Sequence, residues 1–366
     1  MMPKDIYKEI NKDIIGQDEM LRFVSVAIFK HVLGEKFGNL LLIGNSGTGK
    51  TATMQAMERM YARLDFFKDH RVVIRMNANT LAEEDEGGVV KGRRLFRMLD
   101  ERARLILGNG KQPVTPENLK KLIEHGTVCV DEIDKISSRI GGKPNVLGIA
   151  IQQSLLTLME GEDMLYDTSI IEDGQLKQYT IPIDTGNILF ICGGAYEELY
   201  NQVYSRIFQE GKQEKLSRMI YDEYGKVQFK QIFTLKDNLM QEDLFVYGVL
   251  PQFLSRFDNA VVLNDLSVND LLVIFQEPEQ SVYKRSKAFF KKFDVELSIT
   301  ERAARMIAHE AANHPRVGAR ALKEVYGKVI KLFEYDPYSA PGIQEFDGKY
   351  ELLIDEDIVK KTWDIE

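Results

Sequence analysis

Cysteine is nearly absent. Among 366 residues only Cys129 and Cys192 carry thiols, and no C-x-x-C pair exists. That excludes a disulfide framework and a cysteine-based zinc site. Both cysteines lie in apolar runs that read as strands, so they are expected as small buried thiols in a reducing compartment. Histidine is also scarce: His31, His70, His125, His309 and His314 show no metal-ligand spacing. No apolar run approaches the roughly 20 residues that span a bilayer. The opening Met1-Met2-Pro3-Lys4-Asp5 has no apolar core, so no signal peptide and no membrane partner are expected, and the expected location is the cytoplasm. Positive charge is not in excess. The net charge of -8 gives no global pull toward nucleic acid or anionic lipid. Lys91, Arg93 and Arg94 are the only motivation for a nucleic-acid motor, and a solvated helix face explains them equally well. Internal repeats and low-complexity tracts are missing too.

What remains is an ordinary globular composition, 44% apolar and 28% charged. The length is too great for one core and suggests about two domains. Short apolar runs at Asn39–Ile43, Arg71–Arg75, Thr127–Val130 and Ile188–Cys192 suit strands buried on both faces of a parallel sheet. Helix-like stretches at Thr51–Arg63, Arg93–Leu107 and Leu147–Met159 alternate with them, which predicts an α/β fold with helices on both faces. After Val261-Val262-Leu263 the pattern turns mainly helical: Val268–Phe290, with Pro278 as a start or kink, then Thr300–Ala312 and Gly318–Phe333. A short strand at Lys349–Ile354 follows. The predicted division is a large α/β domain over 1–264 and a smaller, mainly helical domain over 265–366.

Gly44-Asn45-Ser46-Gly47-Thr48-Gly49-Lys50-Thr51 matches G-x-x-x-x-G-K-[ST], with an apolar strand before it and a helix running on through Ala52. Glycines let backbone N–H groups turn around an anion, and the helix N-terminus adds its positive dipole end. Lys50 is expected on the β- and γ-phosphates, and Thr51 on Mg²⁺. A glycine-rich turn that happens to precede a lysine is the alternative. Val128-Cys129-Val130-Asp131-Glu132 argues against it. This apolar strand ends in two carboxylates at the edge where α/β sheets bind ligands. Asp131 is expected in the Mg²⁺ shell and Glu132 on the attacking water. Without the loop, two acids would merely end a strand and cap a helix. With it, ATP and Mg²⁺ are the expected cofactors and hydrolysis the expected reaction.

Beyond these motifs the chain resembles one AAA+ family, that of ClpX, the unfoldase partner of a barrel peptidase. The resemblance is carried by Asp131-Glu132-Ile133-Asp134-Lys135-Ile136, by Asn187 to Tyr196 (NILFICGGAY), by Ile15-Gly16-Gln17-Asp18, by Ile151 to Leu156, and by Leu250 to Arg256 (LPQFLSR). It runs from about Ile14 to Phe333, and HslU is a less close match. It implies an AAA+ large domain followed by a helical lid. It also implies that Ile14, Ile15, Gly16 and Gln17 enclose the adenine. Arg256 corresponds to an arginine finger on a neighbouring subunit's γ-phosphate; an ordinary surface ion pair is the alternative. Within Gly318-Ala319-Arg320, Arg320 corresponds to the sensor-2 arginine of its own subunit. A homohexameric ring is implied as well.

Four departures matter. No counterpart is expected for the zinc-binding domain that precedes the AAA+ segment in this family. The aromatic pore loop Gly-Tyr-Val-Gly is replaced in Glu84-Asp85-Glu86-Gly87-Gly88-Val89-Val90-Lys91-Gly92, where no ring is present to grip a polypeptide. The peptidase-docking Ile-Gly-Phe is missing from Tyr200 to Glu242, leaving Ile207-Phe208 as its only remnant. No polar sensor is assigned at Gly193, Gly194 and Ala195. The leading expectation is therefore a ring ATPase that remodels an unidentified protein substrate, with its adaptor unassigned, without the barrel peptidase. A peptidase-coupled unfoldase, a nucleotide-dependent assembly switch or scaffold, and a nucleic-acid motor are the alternatives.

Overall fold

Runs of four to six apolar or small residues with no polar alternation need cover on both faces, and the first half of the chain provides it. The computed structural model describes residues 1–35, 38–81, 93–221, 227–338, 340, 342–346 and 349–363. Five strands, β1 Leu40–Ile43, β2 Val73–Asn77, β3 Thr127–Asp131, β4 Leu189–Gly194 and β5 Asn259–Val262, form one sheet in the order β5-β1-β4-β3-β2. Every pairing is parallel. The central β1 and β4 are buried at every residue, whereas β2 and β5 at the edges carry exposed positions. Helices Lys50–Arg63, Arg93–Asn109 and Val146–Met159 supply the crossovers, close to the expected stretches. Leu41, Ile74, Val128, Phe190 and Leu155 lie in one continuous core.

One large element was not legible as such. Asp163–Glu172 and Gln175–Asp184 are two ten-residue antiparallel strands joined by Asp173-Gly174. Both turn residues take positive φ, 51° and 76°, which is the two-residue turn that matches strand twist. The base of this hairpin is tied to helix Arg93–Asn109 by the buried carboxylate of Asp100. It accepts from Arg104 Nε at 2.8 Å, Tyr166 Oη at 3.0 Å and Thr168 Oγ1 at 2.8 Å. A second hairpin pairs Ser217–Tyr221 with Val227–Gln231.

The chain divides into two compact units. One holds Met1–Asn11, Asp18–Gly44 and Lys50–Leu263; the other holds Lys12–Gln17, Asn45–Gly49 and Asn264–Glu366. The second unit packs helices Val268–Gln276, Val282–Phe290, Glu301–Ala312, Arg320–Tyr335 and Glu356–Thr362 around its own core. Ser267, Ser281, Thr300 and Asp355 cap four of them through side-chain oxygens. Pro278 falls between the first two helices, and the second starts at the Ser281 cap. Where one strand was expected, three occur. β6 Val295–Ile299 lies parallel to β8 Lys349–Ile354, and β7 Ile343–Phe346 is antiparallel to β8. Among the described residues no helix is long and apolar enough to cross a membrane.

Candidate nucleotide site

Because the five-stranded sheet is parallel, the loops leaving β1, β3 and β4 share one edge. This is the edge at which sheets of this kind bind ligands. Lys50 opens the helix after β1 and donates through Nζ to Gly44 O at 2.5 Å. The next residue, Thr51, donates its hydroxyl to Asp131 Oδ2 at 2.5 Å, joining the helix start to the end of β3. Asp131 Oδ1 accepts the backbone N–H of Glu132 at 2.9 Å. Glu132 has φ 56° and ψ 37°, a left-handed conformation that costs a non-glycine residue about 1–3 kcal/mol. It leaves the Glu132 side chain exposed at the strand end. Ala52 is exposed in the first turn of the same helix.

The glycines that end β4 are explained by space. A Cβ on Gly193 would lie 3.1 Å from Met54 Cε, and one on Gly194 would lie 2.5 Å from the Tyr196 ring and 2.9 Å from Asp134 Oδ1. The Gly194 carbonyl accepts from Gly44 N at 3.3 Å, and the buried Asp134 accepts from Ala195 N at 2.9 Å. Backbone therefore approaches backbone where side chains would hold the loops apart.

In the second unit, the phosphate-loop residues Asn45–Gly49 meet residues far away in sequence. Arg320 Nη1 donates to Ser46 Oγ at 2.6 Å, Ala319 N to Gly47 O at 3.1 Å, and Asn45 Nδ2 to Asp265 Oδ1 at 2.9 Å. Thr48 donates to Asn45 O at 2.8 Å. Gly47 has φ 72°, and a Cβ there would lie 2.3 Å from Val317 O, so only glycine fits. Burial raises the pKa of Asp265, and the Asn45 hydrogen bond opposes that rise. Ile14 lies 3.7 Å from the Cβ position of Gly49. Gln17 exchanges two hydrogen bonds with the backbone of Asn264, at 2.8 and 3.0 Å. Gly16 faces the Asp270 carboxylate, and Ile15 is half-buried.

Residues 35–260 match the AAA domain (Cdc48 subfamily). The ATP-dependent Clp protease ATP-binding subunit ClpX of Treponema denticola is 30% identical, over 98% of this chain and 81% of its own. This chain belongs to the ClpX family of AAA+ ATPases. The ClpX of Azotobacter vinelandii is 28% identical, covering 93% of this chain and 76% of its own, and that of Bacteroides thetaiotaomicron 27%, covering 90% and 75%. The family is one of ATP-hydrolysing, protein-remodelling chaperones that typically assemble as hexamers, and this ClpX-family chain is an ATPase.

Arg256 is not at the edge of the phosphate loop. It precedes β5, whose Asn259 pairs with Leu40 at the start of β1. The length of β1, about 13 Å for four residues, separates it from the loop after β1. Its Nη2 donates to Glu160 Oε1 at 2.6 Å. Of the pair Ile207-Phe208 in the region read against the docking loop, Ile207 is buried in helix Glu197–Gln209 and Phe208 is exposed. Lys91 and the stretch read as the pore loop, Glu84 to Gly92, lie outside the described residues. Arg93 and Arg94 begin helix Arg93–Asn109.

The donor set fits a magnesium nucleotide. Two hard oxygen donors, Thr51 and Asp131, sit side by side, as a cation that keeps several of its waters needs. The thiols stand apart from this chemistry. Burial pushes Cys129 up to about 12 and Cys192 higher still, so neither supplies a thiolate. Sequence reasoning missed Asp134, whose signal was a third acid two residues after Glu132. It also missed a histidine cluster. His31 and His70 lie 5.0 Å apart, as do His70 and His125, although 39 and 55 positions separate them in the chain.

Proposed function

We propose that this chain is one subunit of a homohexameric ring ATPase that remodels protein substrates without docking a barrel peptidase. The bond between Thr51 and Asp131 carries the nucleotide part of that reading, because it joins the residues of two motifs 80 positions apart. Lys50 and the loop N–H groups bind the phosphates, and Thr51 and Asp131 hold Mg²⁺, which neutralises charge on the phosphate oxygens when bound. Glu132 orients the attacking water. Ile14 to Gln17 enclose the adenine, and Arg320 reports the nucleotide state to the domain spanning 265–366, with the ATPase domain spanning 1–264. Arg256 acts on a neighbour's nucleotide, and its distance from the phosphate loop of its own sheet supports that direction. The burial of Ile207 supports the absence of peptidase docking.

A nucleotide-driven assembly switch is the second reading. It is favoured by the lack of any aromatic residue in Glu84 to Gly92. Two measurements test the proposal. Glu132→Gln should bind ATP with wild-type affinity while turnover falls about 10²–10⁴-fold; robust hydrolysis by that variant would remove Glu132 from its role. Substrate trapped on the same variant should be released unfolded by the wild type. Light scattering that changes with ATP against ADP, with no unfolding, would favour the switch.

A further inference from the structure

Arginine residues in this chain are held in two ways. Arg206 commits all of its guanidinium nitrogens: Nε to Asp243 at 2.8 Å, Nη1 to Glu210 at 3.0 Å, and Nη2 to Asn238 O at 2.8 Å and Asp243 at 3.0 Å. Such a residue is a structural brace, with no nitrogen left over. Arg256 commits one. Its Nη2 donates to Glu160, and no other hydrogen bond to its guanidinium is found among the described residues. Nε and Nη1 stay available on the same rigid fork.

Both backbones behind this pair are fixed. Glu160 is the C-cap of helix Val146–Met159, with its N–H on Leu156 O and Thr157 O. There the negative end of the helix dipole adds to its own charge in attracting a cation. Arg256 has its N–H on Phe253 O at 3.1 Å, and its carbonyl accepts from Asn39 Nδ2 at 3.3 Å. Asn39 Oδ1 in turn accepts from Phe190 N at 3.0 Å in β4. The pair lines a cleft of about 280 Å³ at the N-terminal edge of the sheet, with Asn39 and Asp258 beside it. A half-exposed ion pair of this kind adds little to stability. What it does is restrict a long side chain that would otherwise sample many rotamers.

We propose that Glu160 is a positioning residue for ATP hydrolysis. It holds the Arg256 guanidinium by one nitrogen and so presets the other donors toward the phosphates of a nucleotide bound by the adjacent subunit. This rests on the trans reading of Arg256. Ordering that side chain before the nucleotide arrives converts a search into a fixed approach, which appears in kcat and not in ATP binding.

The test is steady-state ATPase kinetics of the assembled full-length protein. Glu160→Ala should lower kcat roughly ten-fold while the KM for ATP changes by less than about two-fold. Glu160→Gln, which keeps an oxygen acceptor for Nη2, should recover at least about half of the wild-type kcat. In an Arg256→Ala background, Glu160→Ala should cause no further loss. Wild-type kcat in Glu160→Ala, failure of Glu160→Gln to recover, or an independent further loss in the double variant would each overturn the positioning role. Mixed rings test the underlying reading separately. Arg256→Ala subunits mixed with Glu132→Gln subunits should regain turnover, because the first keep Glu132 and the second supply Arg256. No regain sinks the trans reading; regain with an inert Glu160→Ala sinks only the part assigned to Glu160.

Discussion

At the C-terminal edge of the parallel sheet, the chain leaving β1, β3 and β4 is joined by hydrogen bonds, Gly44 N to Gly194 O at 3.3 Å and Ala195 N to the Asp134 carboxylate at 2.9 Å. At the N-terminal edge, a single long arginine meets a single glutamate at the surface. The first edge is built by chain geometry: Gly194 is small because a Cβ would strike Tyr196, and Thr51 lies on Asp131 because a helix begins where a strand ends. The second edge is built by reach. Geometry of the first kind constrains many residues at once, whereas reach constrains one residue and its anchor.

The sharpest way to break that contrast is to remove the reaching residue. Arg256→Ala should reduce turnover on the order of 10³-fold or more, the range seen when an arginine that offsets phosphoryl charge is lost. ATP affinity, measured by fluorescence of a bound nucleotide analogue, should stay within about two-fold of wild type. A variant that loses nucleotide affinity in step with turnover would make Arg256 part of the binding loop's own edge, and the comparison would collapse. Lys50→Ala supplies the opposite profile, with binding and turnover falling together, because Lys50 lies in the loop itself.

The difference between the edges also decides what could be read from the sequence. The candidate phosphate loop could be proposed in full from the sequence, since a strand, glycines, a lysine and a hydroxyl must follow one another without gaps, and the strand and helix on either side of it are present. Asp131 and Glu132 were legible from the strand that carries them. Arg256 became a candidate only through the LPQFLSR string, because one arginine after a short helix has no local signature. Its anchor Glu160 was not visible at all, being 96 positions away. The long hairpin was missed although Asp173-Gly174 is a strong turn signal. Its outer face mixes apolar Leu165, Ile171 and Leu176 with polar Asp167 and Gln178, so the alternation that marks a half-buried strand is blurred. In the second unit β6 and β7 were missed because each is short, four or five residues, and follows a mainly helical stretch.

A smaller effect separates space from chemistry at the C-terminal edge. Gly194→Ala places a methyl 2.5 Å from the Tyr196 ring and 2.9 Å from Asp134 Oδ1, and both neighbours are buried. Overpacking of this sort costs about 1–3 kcal/mol. The midpoint of chemical denaturation should fall accordingly. Because Asp134 holds the Ala195 N–H, turnover should fall at a temperature where the protein is still folded. Unchanged stability would mean that the loop moves aside easily, and that the closeness of the loops is not what fixes this edge.

The smallest expected effect probes the N-terminal edge by pH. His70, His125 and the Asn187 carbonyl that bonds His31 Nε2 at 2.9 Å precede β2, β3 and β4 respectively, so the histidine cluster lies along the edge that carries Arg256. Burial, aided by the neighbouring His70, lowers His31 to about 3. Burial, aided by His125, lowers His70 to about 4, while Asp69 opposes that shift and Lys121 adds to it. The folded protein therefore refuses protons that the unfolded chain accepts below about 6.5. The stability owed to neutral histidines is complete above that value and is lost as pH falls toward the folded values. Between pH 7 and pH 5 the loss is at most about 2 kcal/mol per histidine. Denaturation midpoints at the two pH values should differ less in His70→Gln than in wild type. Hydrogen exchange at pH 5 should quicken first at Thr127 and Leu189, where the strands begin, and only later at Asp131 and Gly194, where they end. Equal quickening at both ends would mean that acid loosens the sheet as a whole, and that its two edges, however differently built, share one stability.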